Sequence, residues 1–211
     1  MTGAGDRAFC AGLDLKELAG EAGPGSSDAR SALAGGVDLV GAMESFDRPI
    51  IGAVNGVAIT GGFELALACD FLIASTNARF ADTHARVGIM PGWGLSQKLS
   101  RMVGIGRAKE ISLTGNFVSA DEALAMGLVN RVVAPDQLIP TCEKLARDML
   151  SCEPGMVSAY KRVIDAGFAG TFRDGRRLEV EASRAHARAV TPDQIAETRR
   201  KTMARGRDQV R

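Results

Sequence analysis

The sequence has no excess of either charge. Its 211 residues carry 26 Lys and Arg against 25 Asp and Glu, so the whole chain has no electrostatic bias toward nucleic acid or a membrane surface. Metal-binding side chains are scarce: two histidines, and four cysteines (Cys10, Cys69, Cys142 and Cys152) that lie far apart and form no C-x-x-C pair. No metal site is expected, and idle thiols in a reducing compartment are the simpler account. No apolar run reaches the length that crosses a bilayer, and no signal-peptide pattern is found. The expected location is therefore cytoplasmic, with no membrane partner. Gly104-Ile105-Gly106 lacks the third glycine and the preceding strand of a dinucleotide fingerprint, which argues against NAD. No internal repeat recurs at a fixed spacing.

Hydrophobic residues make up 45% of the chain, enough for one domain with a core, or a domain with a helical appendage. Residues 2–15 read as a Gly-rich loop, a short apolar segment and a helix start at Asp14. Gly20 to Asp28 reads as a surface loop, and Asp28 to Phe46 as a helix weakened by three glycines. The apolar run Ile50 to Val54 is short enough for a buried strand, and Asn55-Gly56 is a turn signal. Gly61-Gly62 then bends the backbone into a short helix from Phe63 to Cys69, and Phe71 to Ala74 is a second strand. A short extended piece follows over Arg79 to Asp82. Helices are expected over Leu95 to Val103 and Arg107 to Leu113, with a last strand over Leu128 to Val133. Ser119-Ala120-Asp121-Glu122 is a capping box, and Thr191-Pro192-Asp193-Gln194 is another helix start. From Pro135 the pattern is wholly helical. The expected division is an α/β body over 1–134 and a helical region over 135–211.

The chemistry concentrates around Gly61-Gly62. Bare amides at a helix start can donate to an oxyanion, although a tight turn binding nothing has the same pattern. With Gly61 as the N-cap, Glu64 falls at the third helical position, where a carboxylate caps the helix. The same carboxylate can serve as a general acid or base beside those amides. The apolar, Gly-bearing loop Phe9 to Leu13 is a weak candidate for a second donor. Asp82 and His84 lie two apart on an extended piece and so share a face, and histidine moves protons near neutral pH.

Five stretches together resemble the crotonase superfamily, nearest to its enoyl-CoA hydratases and isomerases. They are Ala8-Phe9-Cys10-Ala11-Gly12-Leu13-Asp14-Leu15, residues 49–56 (PIIGAVNG), residues 61–70 (GGFELALACD), Pro91-Gly92-Trp93-Gly94, and residues 113–129. They follow in order across essentially the whole chain. The resemblance implies an α/β fold, a crotonase-like spiral of ββα turns, with a C-terminal helical region used to form trimers or hexamers. It implies an acyl-CoA thioester as substrate, with coenzyme A entering as part of that substrate and no separate cofactor. It implies that the backbone amides of Leu13 and Gly61 hold the thioester oxygen as an enolate forms. Glu64 matches a hydratase glutamate, and the backbone around Ala11 would meet the adenine end of coenzyme A. The implied substrate surface comprises Ala11, Gly12, Leu13 and Asp14 on one side, and Gly61, Gly62, Asp82, Pro91 and Trp93 on the other.

Two departures from the family pattern stand out. His84 occupies the position where hydratases carry a second glutamate, so that role passes to imidazole, to Asp82 through water, or to nothing. The chain also starts just before the first signature loop, where the family has earlier strands, a helix and a basic segment; an N-terminal truncation is expected. The main expectation is hydration of a 2-enoyl-CoA in fatty-acid or related acyl-CoA metabolism. The alternatives are isomerisation, thioester hydrolysis or decarboxylation using His84, or an inactive acyl-CoA-binding subunit. The basic residues Arg199, Arg200, Lys201, Arg205, Arg207 and Arg211 read as a solvated helix end, or as contacts to a neighbour's coenzyme A phosphates.

Overall fold

Seven short strands form two sheets in the computed structural model, which describes residues 1–21, 36 and 38–209. The strands are β1 (Ala8–Cys10), β2 (Ile51–Val54), β3 (Val57–Ile59), β4 (Phe71–Ser75), β5 (Arg79–Ala81), β6 (Val118–Ser119) and β7 (Arg131–Val133). One sheet has the order β1-β3-β5-β6 and the other β2-β4-β7, and every pair is parallel except β5 with β6. The chain thus visits one sheet, turns a corner, visits the other and continues into a helix. β2, β3 and helix α3 (Gly61–Ala68) make one such ββα turn. The next turn stacks on it in register, with Ile51 opposite Phe71 and Val57 opposite Arg79. Sequence periodicity does not reveal β3. Asn55-Gly56 reads as the end of a strand, whereas it is the corner between two.

The described helices before α3 are α1 (Leu15–Ala19) and α2 (Leu39–Glu44). Residues 22–28 of the expected surface loop, and 28–35 and 37 of the expected helix, lie outside the described residues. After α3 come α4 (His84–Val87), α5 (Leu95–Val103), α6 (Ile105–Thr114), α7 (Ala120–Ala125) and α8 (Leu138–Leu150). Ser119 and Glu122 form the capping box of α7 in both directions.

The apolar runs of β2 and β4 are continuous because both faces of that sheet are covered. Val54, Leu72 and Ala74 enter the main core with Phe63, Phe80, Leu95, Leu99 and Leu128. Ala53 and Ile73 face the opposite way, onto Leu138 and Cys142 of α8. Phe63 and Phe80 meet at a centroid distance of 5.4 Å, which locks α3 onto β5. Since α8 shares this core, the compact units divide between Asp148 and Met149, later than the division expected near 134.

The second unit holds α9 (Met156–Ala169), α10 (Phe172–Ala187) and α11 (Pro192–Gln209). Gly167 and Gly175 let α9 and α10 approach closely, since a Cβ on Gly175 would lie 3.0 Å from the Gly167 Cα. None of these three helices buries a residue, and Tyr160, Ile164, Phe168 and Phe172 are all exposed. Arg200 and Lys201 pair with Glu197, and Arg205 donates to Ser151 Oγ, so these basic residues have partners within the unit. Arg211 lies outside the described residues.

Asn55 holds the first residues of the chain. Its amide nitrogen donates to Gly5 O at 2.8 Å and Ala8 O at 3.1 Å, while its oxygen accepts from Gly3 N at 3.1 Å. Beside it, Ala53 N donates to Met1 O at 2.8 Å. Asn55→Ala strands several backbone groups at once and is expected to cost about 1–3 kcal/mol. Urea unfolding measures that loss, and faster tryptic cleavage at Arg7 in the folded variant reports release of the segment.

Candidate active site

Thr60 turns the chain from β3 into α3. It has φ 54 and ψ −113 and is the one non-glycine with positive φ among the described residues. Its amide donates to Ala81 O at 2.9 Å, which fixes the turn against β5. Thr60 is the N-cap, so Gly61 is the first helical residue and Glu64 the fourth. This corrects the expected geometry in two ways. The bend belongs to Thr60, and Glu64 is one position too late to cap its own helix. Gly62 is needed for close approach: a Cβ there would lie 1.9 Å from the Cys10 carbonyl oxygen.

That approach brings the loop after β1 against the start of α3. Gly12, at φ +85, takes a left-handed conformation, and a Cβ on it would fall 3.2 Å from the Gly61 nitrogen. A Cβ on Gly61 would lie 3.9 Å from the Leu13 nitrogen. The amides of Leu13 and Gly61 are therefore neighbours, and neither donates to an acceptor among the described residues. Asp14 serves α1 instead, accepting from Lys16 N at 2.8 Å.

Glu64 is buried, and its two oxygens do different work. Oε1 accepts from Trp93 N at 2.7 Å and Leu95 N at 3.4 Å, at the first turn of α5, so the carboxylate does cap a helix, but a neighbouring one. Oε2 lies 3.6 Å from His84 Nε2. On the far side of the imidazole, Nδ1 lies 2.7 Å from Asp82 Oδ1, which also accepts from the His84 amide at 3.2 Å. Asp82 and His84 meet through this turn, not through a strand period, because β5 ends at Ala81 and His84 opens α4.

Burial alone would raise the Asp82 pKa, but hydrogen bonds from His84 and the neighbouring Ser112 outweigh it and hold the carboxyl below the usual carboxylate range. A carboxylate only accepts, so Nδ1 carries its hydrogen and Nε2 is the nitrogen turned toward Glu64.

These groups line a cavity of about 290 Å³. Of the expected residues, Ala11, Leu13, Gly61, Glu64, His84 and Trp93 form its wall. Gly12 and Gly62 support the wall through backbone packing, Asp82 lies behind His84, and Pro91 is represented by its neighbour Gly92. Leu15, Leu18, Val87, Ile89 and Met90 give the cavity an apolar side. Thr60 and Thr83 also line it and were not anticipated. A threonine before Gly-Gly is a readable N-cap signal; its contact with Thr83 depends on the β3–β5 pairing.

Because the Asp82 pKa is depressed on folding, its contribution to stability is complete above the unfolded carboxyl range and is lost as pH falls below about 4. Asp82→Asn is expected to lower the urea midpoint at pH 7 and to narrow its deficit against the wild type between pH 5 and pH 3. A deficit that stays constant over that range contradicts an ionised Asp82.

The chain matches the family described as enoyl-CoA hydratase/isomerase over residues 1–200. It is 42% identical to the probable enoyl-CoA hydratase 1, peroxisomal, of Arabidopsis thaliana, covering 98% of this chain and 75% of that protein. It is 39% identical to the short-chain-enoyl-CoA hydratase of Clostridium acetobutylicum, over 86% of this chain and 69% of that one. The crystal structure of enoyl-CoA hydratase from Bacillus anthracis superposes with a TM-score of 0.82 at 36% identity, covering 96% of this chain and 77% of that one. With its ββα turns and the paired amides beside Glu64, the chain belongs to the enoyl-CoA hydratase/isomerase family and has the crotonase fold.

Proposed function

We propose that the protein adds water to the double bond of a 2-enoyl-CoA thioester. The observation that carries this reading is that one cavity holds two amides, Leu13 and Gly61, with no acceptor among the described residues, beside the Glu64–His84–Asp82 chain. The thioester oxygen accepts from both amides. Water then bonds to C3 through its oxygen, and the π electrons move onto the thioester as an enolate. One water proton passes to the Glu64–His84 pair, and the pair delivers one proton to C2. Atoms and charge balance with no separate cofactor, since coenzyme A is part of the substrate. Fixed donors aimed at the developing oxyanion stabilise the enolate strongly, each contributing on the order of 10²–10³ in rate. His84 replaces a carboxylate in this scheme, and Asp82 keeps the imidazole in the tautomer that presents Nε2. The apolar wall suits an uncharged acyl chain.

The helical unit supports assembly into trimers or hexamers of this chain. Tyr160, Ile164 and Phe168 recur every four residues on one face of α9, continue to Phe172, and find no cover among the described residues of their unit. The spacing of the cysteines suits a reducing compartment, which we take to be the cytoplasm. No helix among the described residues is long and apolar enough to cross a membrane.

Wild-type protein is expected to consume crotonyl-CoA, followed as loss of enoyl absorbance, with Glu64→Gln slower by about 10²-fold or more in kcat. No turnover by the wild type, or equal turnover by Glu64→Gln, contradicts the reading. For assembly, Ile164→Glu with Phe168→Glu is expected to reduce the mass measured by light scattering to that of a smaller oligomer or monomer, and an unchanged mass removes this face from the interface.

A further inference from the structure

The hydroxyls of Thr60 and Thr83 meet in a hydrogen bond within the cavity wall. Thr60 directly precedes Gly61 and Thr83 directly precedes His84, so this bond ties the turn bearing an oxyanion amide to the turn bearing the imidazole. Two hydroxyls joined by one bond use one of their two hydrogens. Neither side chain has another hydrogen-bond partner among the described residues, and neither caps the helix it precedes. One O–H is therefore left over in the cavity wall, on the turns that lead into Gly61 and His84.

The backbone shows that this threonine is held at a cost. At φ 54 and ψ −113, Thr60 occupies a region that glycine adopts freely and a β-branched residue does not. Such strain persists where the surroundings enforce it, and it gathers at functional sites. Glycine at this position would remove the strain and also the hydroxyl.

The reacting water has a place for that spare hydrogen. Glu64 Oε2 and His84 Nε2 lie 3.6 Å apart, and in the neutral tautomer with Nδ1–H toward Asp82 both can accept. A water bridging them gives one hydrogen to each and keeps two lone pairs. One lone pair attacks C3. The other needs a donor, because a buried polar site left unpaired is costly. Among the side chains that line the cavity, the donors besides His84 are the Trp93 indole, which presents its Cζ3 edge to Gly61, and the two threonine hydroxyls.

We propose that the Thr60–Thr83 hydroxyl pair is a third polar contact of the reaction, donating its spare hydrogen to the oxygen that is added to C3. In the reverse direction the same hydroxyl holds the 3-hydroxyl group as it leaves as water. The inference rests on the hydration reading above.

The test measures kcat and KM on crotonyl-CoA, together with Tm, for the full chain and four variants. Thr60→Ala is expected to lower kcat about ten-fold with KM within about two-fold, and Thr60→Ser to restore it. Thr60→Gly is expected to lower kcat like Thr60→Ala while raising Tm by about 2–4 °C, as the strain is released. Thr60→Ala combined with Thr83→Ala is expected to fall no further than Thr60→Ala alone, because the two hydroxyls act as a unit. Wild-type kcat in Thr60→Ala overturns the inference while leaving hydration standing, and so does a Thr60→Gly variant less stable than the wild type. Absence of turnover by the wild type itself overturns both.

Discussion

The site depends on one buried line of hydrogen-bonding groups. It runs from Asp82 through His84 to Glu64, and from Glu64 to the amides of Trp93 and Leu95. Each member is fixed by the next. Asp82 sets the imidazole tautomer, the imidazole faces Oε2, and Oε1 is held by the start of α5. The line joins the turn after β5 to α4, α3 and α5, so the relative geometry of Glu64 and His84 is set by the packing of the core. Its burial makes every bond in it electrostatically strong and every missing partner expensive. Among the described residues no buried side-chain nitrogen or oxygen lacks a partner, as a structure built around such a line requires.

The opposite wall depends on backbone closeness. Gly12 and Gly62 let the loop after β1 touch the first turn of α3, and the amides of Leu13 and Gly61 become neighbours as a result. Helix α3 serves both walls. Its first residue offers an amide, and its fourth offers the carboxylate. The Phe63 ring on the same helix locks it against Phe80, two residues ahead of Asp82 and four ahead of His84. The ββα spiral thus converts strand pairing into alignment of the Leu13 and Gly61 amides with Glu64 and His84.

Much of this was legible from the residues. The buried strands and the Ser119 and Thr191 helix starts follow from apolar runs and capping chemistry, and the pairing of the Leu13 loop with Gly61-Gly62 is what the resemblance to the crotonase superfamily implies. What stayed hidden depends on contacts distant in sequence. β3 is three residues long and invisible to periodicity. Glu64 looked like a cap for its own helix, and only the placement of α5 shows which amides it serves. Asp82 and His84 were expected to meet along a strand, yet they meet around a turn, where the side-chain oxygen of one reaches the ring and amide of the other. Thr60 carries a local N-cap signal, but nothing local shows that its backbone is strained or that its hydroxyl meets Thr83 and not its own helix. The unit boundary moved past α8 because Leu138 and Cys142 are buried by β2 and β4.

The central claim is geometric: an acyl-CoA thioester places its oxygen on two amides and its C2–C3 bond against the Glu64–His84 pair. A crystal structure with butyryl-CoA, a saturated acyl thioester that cannot be hydrated, measures this directly. The thioester oxygen is expected at about 2.7–3.1 Å from both the Leu13 and the Gly61 nitrogens, with C3 facing Glu64 Oε2 and His84 Nε2. A thioester oxygen bound away from either amide, or an acyl chain turned away from Glu64, would contradict it.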